Sequence, residues 1–333
     1  MTTTTPADGT VDLTVEPLPL PRSFEISHMT IETVDIVRLS LGDTGDGHVG
    51  DGEIAADLGY GQDATVIGTE AAAMARAVAD RGQLTPAELV AALDQVGEHA
   101  SGPARMLVEM AFLDRAARRA GVPVWRLLDL PAPGTVRLLH TVPIGEEIPA
   151  GTRPVKIKLG GPDDDVVLRG LVGVPGPIIL DVNRGWDARD WGRLRDLVTE
   201  IAPAVLEDPV HDRDLLAEVR AALPDTKVIL DEGVNTVADV EAAVAVADGA
   251  NTKLMRLGGL LPGHRVLTDL GARGATRMLG CFLEPPRAIA YAAQLVGLCE
   301  WTDLDGHFWL TGDPSVMSYR LDSSAPGVPR IAY

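Results

Sequence analysis

Lys158, Asp181, Glu207, Asp231 and Lys253 follow one another at intervals of 22 to 26 residues, each at the C-terminal end of a short apolar run. The acids close Ile-Ile-Leu-Asp, Ala-Val-Leu-Glu and Val-Ile-Leu-Asp. Each alone has an ordinary reading as an Asx turn, a solvated loop or a helix cap; their near-equal spacing argues for a set. Three converging carboxylates repel unless a cation lies among them. Hard oxygen ligands with room for water suit Mg²⁺, with Mn²⁺ as the alternative, so Asp181, Glu207 and Asp231 are the candidate metal ligands. The lysines add proton chemistry. Lys156 and Lys158 alternate about Ile157, so on a strand both ammonium groups point to one face. Adjacent cations are expected to depress each other's pKa and make a neutral amine base attainable. Lys253 would stand across from them. Two bases flanking a metal suit removal of a proton next to a carboxylate, through an enediolate, with return of a proton to the opposite face.

The elements that must position these groups repeat. Apolar, β-branched runs occur at Val136–Ile144, Val155–Leu159, Ile178–Val182, Ala204–Leu206, Lys227–Leu230, Asn251–Leu254, Arg277–Cys281 and Trp301–Leu304, with helix-forming stretches between most of them. A βα unit takes roughly 20–30 residues, which matches the interval between the polar groups. Alternation predicts a parallel sheet with helices outside, and eight strands predict an α/β, TIM-like (β/α)7β barrel with the active site on the rim at the strands' C-terminal ends. Pro149, Gly151 and Pro154 and the short connection after Ile144 predict that the first outer barrel helix is missing. That would leave apolar barrel surface for another subunit to cover, hence an expected homo-oligomer. Upstream, the alternation at Ile31–Leu39 predicts a strand. Residues 69–81, 85–98 and 103–120 read as helices, the second with Pro86 behind Thr85 and the third stopped by Gly121 and Pro123.

The chain has 333 residues and a net charge of −19, which argues against nucleic-acid binding. It contains no run of 18 apolar residues, so no membrane span is expected. Two cysteines, Cys281 and Cys299, make no disulfide framework and suggest a reducing compartment, the cytoplasm. The first 22 residues read as a flexible tail without the features of a signal peptide.

The motifs Val155–Gly161 (VKIKLGG), Leu180–Trp186 (LDVNRGW), Leu206–Pro209 (LEDP), Leu230–Gly233 (LDEG) and Lys253–Gly259 (KLMRLGG) resemble those of the muconate-lactonizing-enzyme subgroup of the enolase superfamily. The resemblance extends from about residue 24 onward. It implies Asp181, Glu207 and Asp231 as metal ligands, Lys158 and Lys253 as the acid/base pair, and Lys156 as a partner of the substrate carboxylate. It also implies a capping domain, giving a tail at 1–22, an α+β cap at 23–134, a catalytic barrel at 135–310 and a segment at 311–333 returning to the cap. Asp303-Leu304-Asp305 looks like the Asp-x-Asp motif of dipeptide epimerases, where two carboxylates on one strand face would grip a substrate α-ammonium. Thr141 on the first barrel strand is a further candidate substrate contact. The sequence departs from the Ala-Glu epimerases near Phe24–Thr30, where the arginine that reads an acidic side chain has no match, and at Cys281–Pro286. Glu25 or His28 instead suggest an uncharged or cationic second residue. The expected activity is epimerisation of a small-molecule carboxylate, a dipeptide, with cap loops at 24–30 and 53–62 closing over it. The alternatives are an N-acylamino-acid racemase or o-succinylbenzoate-synthase-like enzyme, which has no need of the Asp pair, and a non-catalytic metal-binding barrel.

Overall fold

In the computed structural model the alternating segment lies in a three-stranded antiparallel sheet made by β1 (Val11–Ile26), β2 (Met29–Leu41) and β3 (Gly50–Ala56). The structure describes residues 11–42, 47–57, 61–79, 81, 84–97, 100–147, 154–311, 318–322 and 324–332. Strand β1 corrects the expectation of a tail through residue 22: Val11 pairs with Leu41 and Pro19 with Thr33. The reading failed because Pro17, Pro19 and Pro21 masked a strand. β1 is an edge strand, where a residue without an N–H is tolerated. Its buried Val11, with Leu13 and Val15, packs into the core shared with the helices that follow. Those helices are α1 (Ala64–Ala79), α2 (Pro86–Val96) and α3 (Gly102–Ala120), followed by the one-turn α4 (Val124–Leu127). Thr85 and Glu88 form a reciprocal capping box at the start of α2, and Gly121 ends α3 in the left-handed region.

The first apolar run of the expected barrel divides in two. Its start, β4 (Thr135–Arg137), leaves the barrel to pair with a C-terminal strand, and only β5 (His140–Val142) joins it. The barrel continues as β6 (Val155–Lys158), α5 (Asp164–Leu171), β7 (Ile178–Asp181), α6 (Ala188–Ile201), β8 (Val205–Glu207), α7 (Arg213–Ala222), β9 (Lys227–Leu230), α8 (Asp239–Val246), β10 (Gly249–Lys253), α9 (Leu254–Leu257), α10 (Leu260–Ala272), β11 (Thr276–Gly280), α11 (Pro286–Ala292), a 3₁₀ turn and β12 (Trp301–Asp303). β5 to β12 are parallel and neighbours in chain order. The Leu139 N–H donates to the Thr302 carbonyl at 2.9 Å and draws the first strand to the last. After α12 (Gly306–Thr311), β13 (Ser318–Asp322) pairs with β4 and β14 (Arg330–Ala332). The Val328 N–H then donates to Asp114 of α3 at 2.7 Å.

Inward-facing Leu139, Ile179, Val205, Ile229 and Met278 fill the barrel floor. Outward-facing strand residues and Trp191, Leu194 and Val219 of the helices form the surrounding core. Alternation therefore has polar rim groups standing on an apolar plug. Between β5 and β6 none of the described residues is helical; residues 148–153 lie outside the described residues. Val142, Val155 and Ile157 beside this connection are nonetheless buried within the chain. Among the described residues, the strand side chains beside this connection present no exposed apolar face. Among the described residues no helix is long and apolar enough to cross a membrane.

Candidate active site

Strand register brings the predicted residues together. Lys158 pairs with Asp181 and Asp181 with Glu207, so three rim groups share one row. On the other side Lys253 pairs with Gly280 and Gly280 with Asp303. One layer below, Thr141 pairs with Lys156. Asp231 follows β9 directly. All these side chains are buried.

Burying so many charges is tolerable because they pair. The Lys156 ammonium lies 2.9 Å from Asp181, 2.8 Å from Glu207 and 2.7 Å from Asp303. Lys158 donates to Asp181 at 2.6 Å and to Asn183 Oδ1 at 3.1 Å. Lys253 lies 2.7 Å from Asp231, which Arg256 also contacts at 2.9 Å. Asn251 donates to Glu207 Oε1 at 2.7 Å. The Thr141 N–H donates to Asp305 at 2.8 Å, and its hydroxyl stands 3.3 Å from Asp303. Phe282 lies 4.7 Å beneath the Lys253 ammonium.

The electrostatics differ from expectation in one respect. Burial opposes the charge on Lys156, but Asp181, Asp303 and Glu207 hold its pKa well above the usual lysine value. The expected mutual depression of the Lys156 and Lys158 pair is overruled for Lys156, because carboxylates surround it. Burial likewise opposes charge on Asp181, yet Lys156 and Lys158 bring it down to about 2. Asp231 resists burial through Lys253 and Arg256 and lies far below the carboxylate range. Burial, then Asp181, pushes Glu207 up to about 8. Burial, then Asp303, pushes Asp305 up to about 7.

As placed, Asp181 and Glu207 meet at Lys156 while Asp231 turns to Lys253 and Arg256. Among the described residues no three acidic, His or Cys side chains close on one point. The donor set still fits a divalent cation. It offers three buried carboxylates from consecutive strands, and Glu207 Oε2 is buried without a hydrogen bond among the described residues, 2.8 Å from the Lys156 ammonium.

Several partners escaped the sequence reading although they lie inside the quoted motifs or, for Asn251, in the apolar run that leads into one. Asn183 stands two residues past Asp181, Asn251 two before Lys253, and Arg256 one helical turn after it. The same alternation that paired Lys156 with Lys158 points to Asn251. Asn183 adopts a left-handed φ of 47°, a conformation asparagine tolerates, at the turn that leads its side chain back to Lys158. Asp208 accepts from the N–H groups of Asp231 and Glu232 at 3.1 and 2.7 Å and fixes the loop carrying Asp231. Of the cap loops, the turn at Ser27-His28 rests on the rim. The Ser27 hydroxyl donates to the Asn183 carbonyl at 3.3 Å, and a Cβ on Gly160 would come within 2.6 Å of Ser27. Among the described residues, Glu25 and His28 form no hydrogen bond or ion pair with the lysines or carboxylates of the rim. In the other loop, residues 58–60 lie outside the described residues.

Comparison with known proteins agrees with this geometry. Residues 146–315 match the family described as "Enolase C-terminal domain-like". The chain is 30% identical over 321 residues to a hydrophobic dipeptide epimerase of Roseobacter litoralis, covering 88% of each chain. It is 32% identical to a hydrophobic dipeptide epimerase of Citrifermentans bemidjiense, covering 93% of this chain and 94% of that one. Among solved structures it resembles the dipeptide epimerase of Enterococcus faecalis V583 complexed with Mg and L-Leu-L-Tyr. That match has a TM-score of 0.84 at 22% identity, over 97% of this chain and 99% of that one.

Proposed function

The chain belongs to the enolase superfamily, in its muconate-lactonizing-enzyme subgroup, and from that premise we propose that it is a Mg²⁺-dependent epimerase inverting the α-carbon next to a carboxylate in a dipeptide. One observation carries the reading. Lys158 and Lys253 reach the same cavity from β6 and β10, and Thr141, Asp303 and Asp305 line that cavity too. An α-carbon held between the two amines can lose its proton to one Nζ and receive a proton from the other on the opposite face. Asp181, Glu207 and Asp231 would hold the cation. When bound, Mg²⁺ supplies a Lewis acid that draws charge from the substrate carboxylate and lowers the cost of removing the α-proton.

The remaining groups bind and orient. Asp303 and Asp305 take the substrate ammonium by charge-assisted hydrogen bonds, with the Thr141 N–H and hydroxyl fixing the direction of both carboxylates. Lys156 sets its ammonium 2.9 Å from Asp181 and 2.8 Å from Glu207 and so places positive charge beside the carboxylates that would hold the cation. Asn183 and Arg256 aim Lys158 and the Asp231 carboxylate, as supporting bonds do in preorganised sites. Phe24, Leu283 and Trp309 close the cavity with apolar surface and keep water from the reacting carbon.

The test is exchange in deuterated water. Protein with Mg²⁺ and a dipeptide library should yield inverted products carrying one deuterium at the C-terminal α-carbon, read by mass spectrometry. Racemisation of an N-acylamino acid with no dipeptide exchanged would replace this reading. Exchange of neither would favour a barrel that binds metal without catalysis.

A further inference from the structure

The carboxylate of Asp164 ties together the two loops that hold Lys158. Asp164 is the first residue of α5 and is 3% exposed. Its Oδ2 accepts from the Gly160 N–H at 2.8 Å and from the Trp186 indole N–H at 2.6 Å, and its Oδ1 accepts from the Gly161 N–H at 3.0 Å. Gly160 and Gly161 belong to the loop after β6, and Trp186 belongs to the loop after β7. From this placement, and resting on the epimerase reading, we infer that Asp164 is a positioning residue for Lys158 and so governs proton transfer on one face of the substrate α-carbon.

Lys158 is aimed from both ends. Its backbone leaves β6 and reaches Gly160 two residues later, where Asp164 takes the N–H. Its ammonium meets Asn183 Oδ1 at 3.1 Å, and Asn183 lies three residues before Trp186 in the other loop. The two loops touch backbone to backbone: a Cβ on Gly185 would come within 2.8 Å of the Gly160 Cα. A shift of one loop therefore moves the other. Trp186 carries the tie further, since its backbone N–H donates to the Pro209 carbonyl at 3.3 Å and it bridges to Val210 after β8. None of the three donors to Asp164 belongs to α5, so the carboxylate joins loops and does not cap its own helix. Arg193 is bound to the neighbouring Asp165 at 3.2 Å and to Asp190 at 3.4 Å. Asp164 is thus held by the N–H groups of the loops it joins.

Lys253 is supported differently. The chain passes from it directly into α9, and its ammonium lies 2.7 Å from Asp231 and 4.7 Å from the Phe282 ring. The bonds of Asp164 reach none of these groups. Without Asp164 the loops on the Lys158 side lose their tie, while the Lys253 side keeps its own. A displacement of about 1 Å in a reacting group can cost about 10²-fold in rate, so the loss should fall on one face. General loosening of the fold, or of the carboxylates that would hold the cation, would slow both faces alike.

Exchange measured one epimer at a time tests the inference with the Mg²⁺-supplemented enzyme. Initial rates of α-deuteration in deuterated water are taken separately for the two epimers of the library dipeptide that exchanges fastest. The epimer served by Lys158 is the one whose exchange Lys158→Met abolishes. In Asp164→Asn, whose amide turns an NH₂ toward N–H donors, exchange of that epimer should fall about tenfold or more relative to the other. Trp186→Phe keeps an aromatic ring and both backbone bonds to Asp164, and should lower the same ratio about threefold or more. A smaller change in either folded variant overturns the inference, and if Asp164→Asn does not fold, Trp186→Phe decides alone. Equal loss on both epimers overturns it too, as does a Lys158→Met enzyme that loses both epimers alike. These outcomes leave the epimerase reading standing, because the unaltered enzyme still exchanges. Absence of exchange by the unaltered enzyme with every dipeptide defeats that reading, and the inference with it.

Discussion

At the barrel rim, Lys156, Lys158 and Lys253 are buried with Asp181, Glu207, Asp231 and Asp303, while at the seam between cap and barrel the carboxylate of Glu109 is buried against neutral donors. Glu109 lies on α3 and accepts from the N–H groups of Leu260 and Leu261, at 2.5 and 3.2 Å, and from the Tyr291 hydroxyl at 2.7 Å. Burial pushes its pKa up to about 7. On the rim, ammonium partners hold Asp181 and Asp231 ionised against the same penalty. Two ammonium partners at Asp181, and an ammonium and a guanidinium at Asp231, outweigh the burial penalty, whereas the hydrogen bonds to Glu109 do not.

Breaking the rim should cost most. Replacing Lys158 or Lys253 by Met should lower epimerisation by about 10³ or more, within the range of acid/base contributions. Each variant should also discriminate between epimers, exchanging the α-proton of only the one that faces the surviving lysine. Loss of exchange from both epimers equally in both variants would mean that the lysines do not divide the two faces. Removing divalent metal with a chelator should abolish turnover, and added Mg²⁺ should restore it. Activity that persists after exhaustive chelation would show that turnover needs no divalent cation among Asp181, Glu207 and Asp231.

Asp303→Asn should lower dipeptide kcat/KM by about 10²-fold, the scale of losing a buried charge-assisted contact of 2–3 kcal/mol, and should spare N-acyl substrates, which carry no ammonium. An equal loss on both would make Asp303 a support for Lys156 rather than a substrate contact.

The seam should respond to pH rather than to substrate. The Glu109 pKa is raised on folding, so the native state binds a proton that the unfolded state lacks between about pH 4.5 and 7. That stability is present below the unfolded pKa and lost as pH rises through the folded one, by up to roughly 3 kcal/mol. Glu109→Gln should flatten this part of the stability profile in chemical denaturation at pH 5 and pH 8. The smallest effect is expected for this variant at pH 5, about 1 kcal/mol, because the amide oxygen can still accept from Leu260 and Tyr291. An unchanged pH slope would assign the dependence to other groups.

The two regions also differed in how far the sequence revealed them. Lys158, Asp181, Glu207 and Lys253 are the last residues of their barrel strands and Asp231 follows β9 directly, because the cue was local: a polar group after an apolar run, repeated at βα spacing. Glu109 gave no such cue. It sits on a helix among apolar residues, and its partner Tyr291 is 182 residues away. The proline-rich β1 was hidden for a related reason, since only its pairing with β2 makes it a strand. The division of Val136–Ile144 into β4 and β5 likewise depends on a C-terminal partner, β13.

Local chemistry, written in side-chain period and in the interval between strand ends, determined which groups face the rim and in what order. Packing between distant segments decided how those groups are held: which amine meets which acid, how Phe24 and Trp309 wall the cavity, and how a cap helix is joined to the barrel through one carboxylate. Periodicity is a property of neighbours along the chain, whereas the partner that satisfies a buried charge exists only once remote elements have come together.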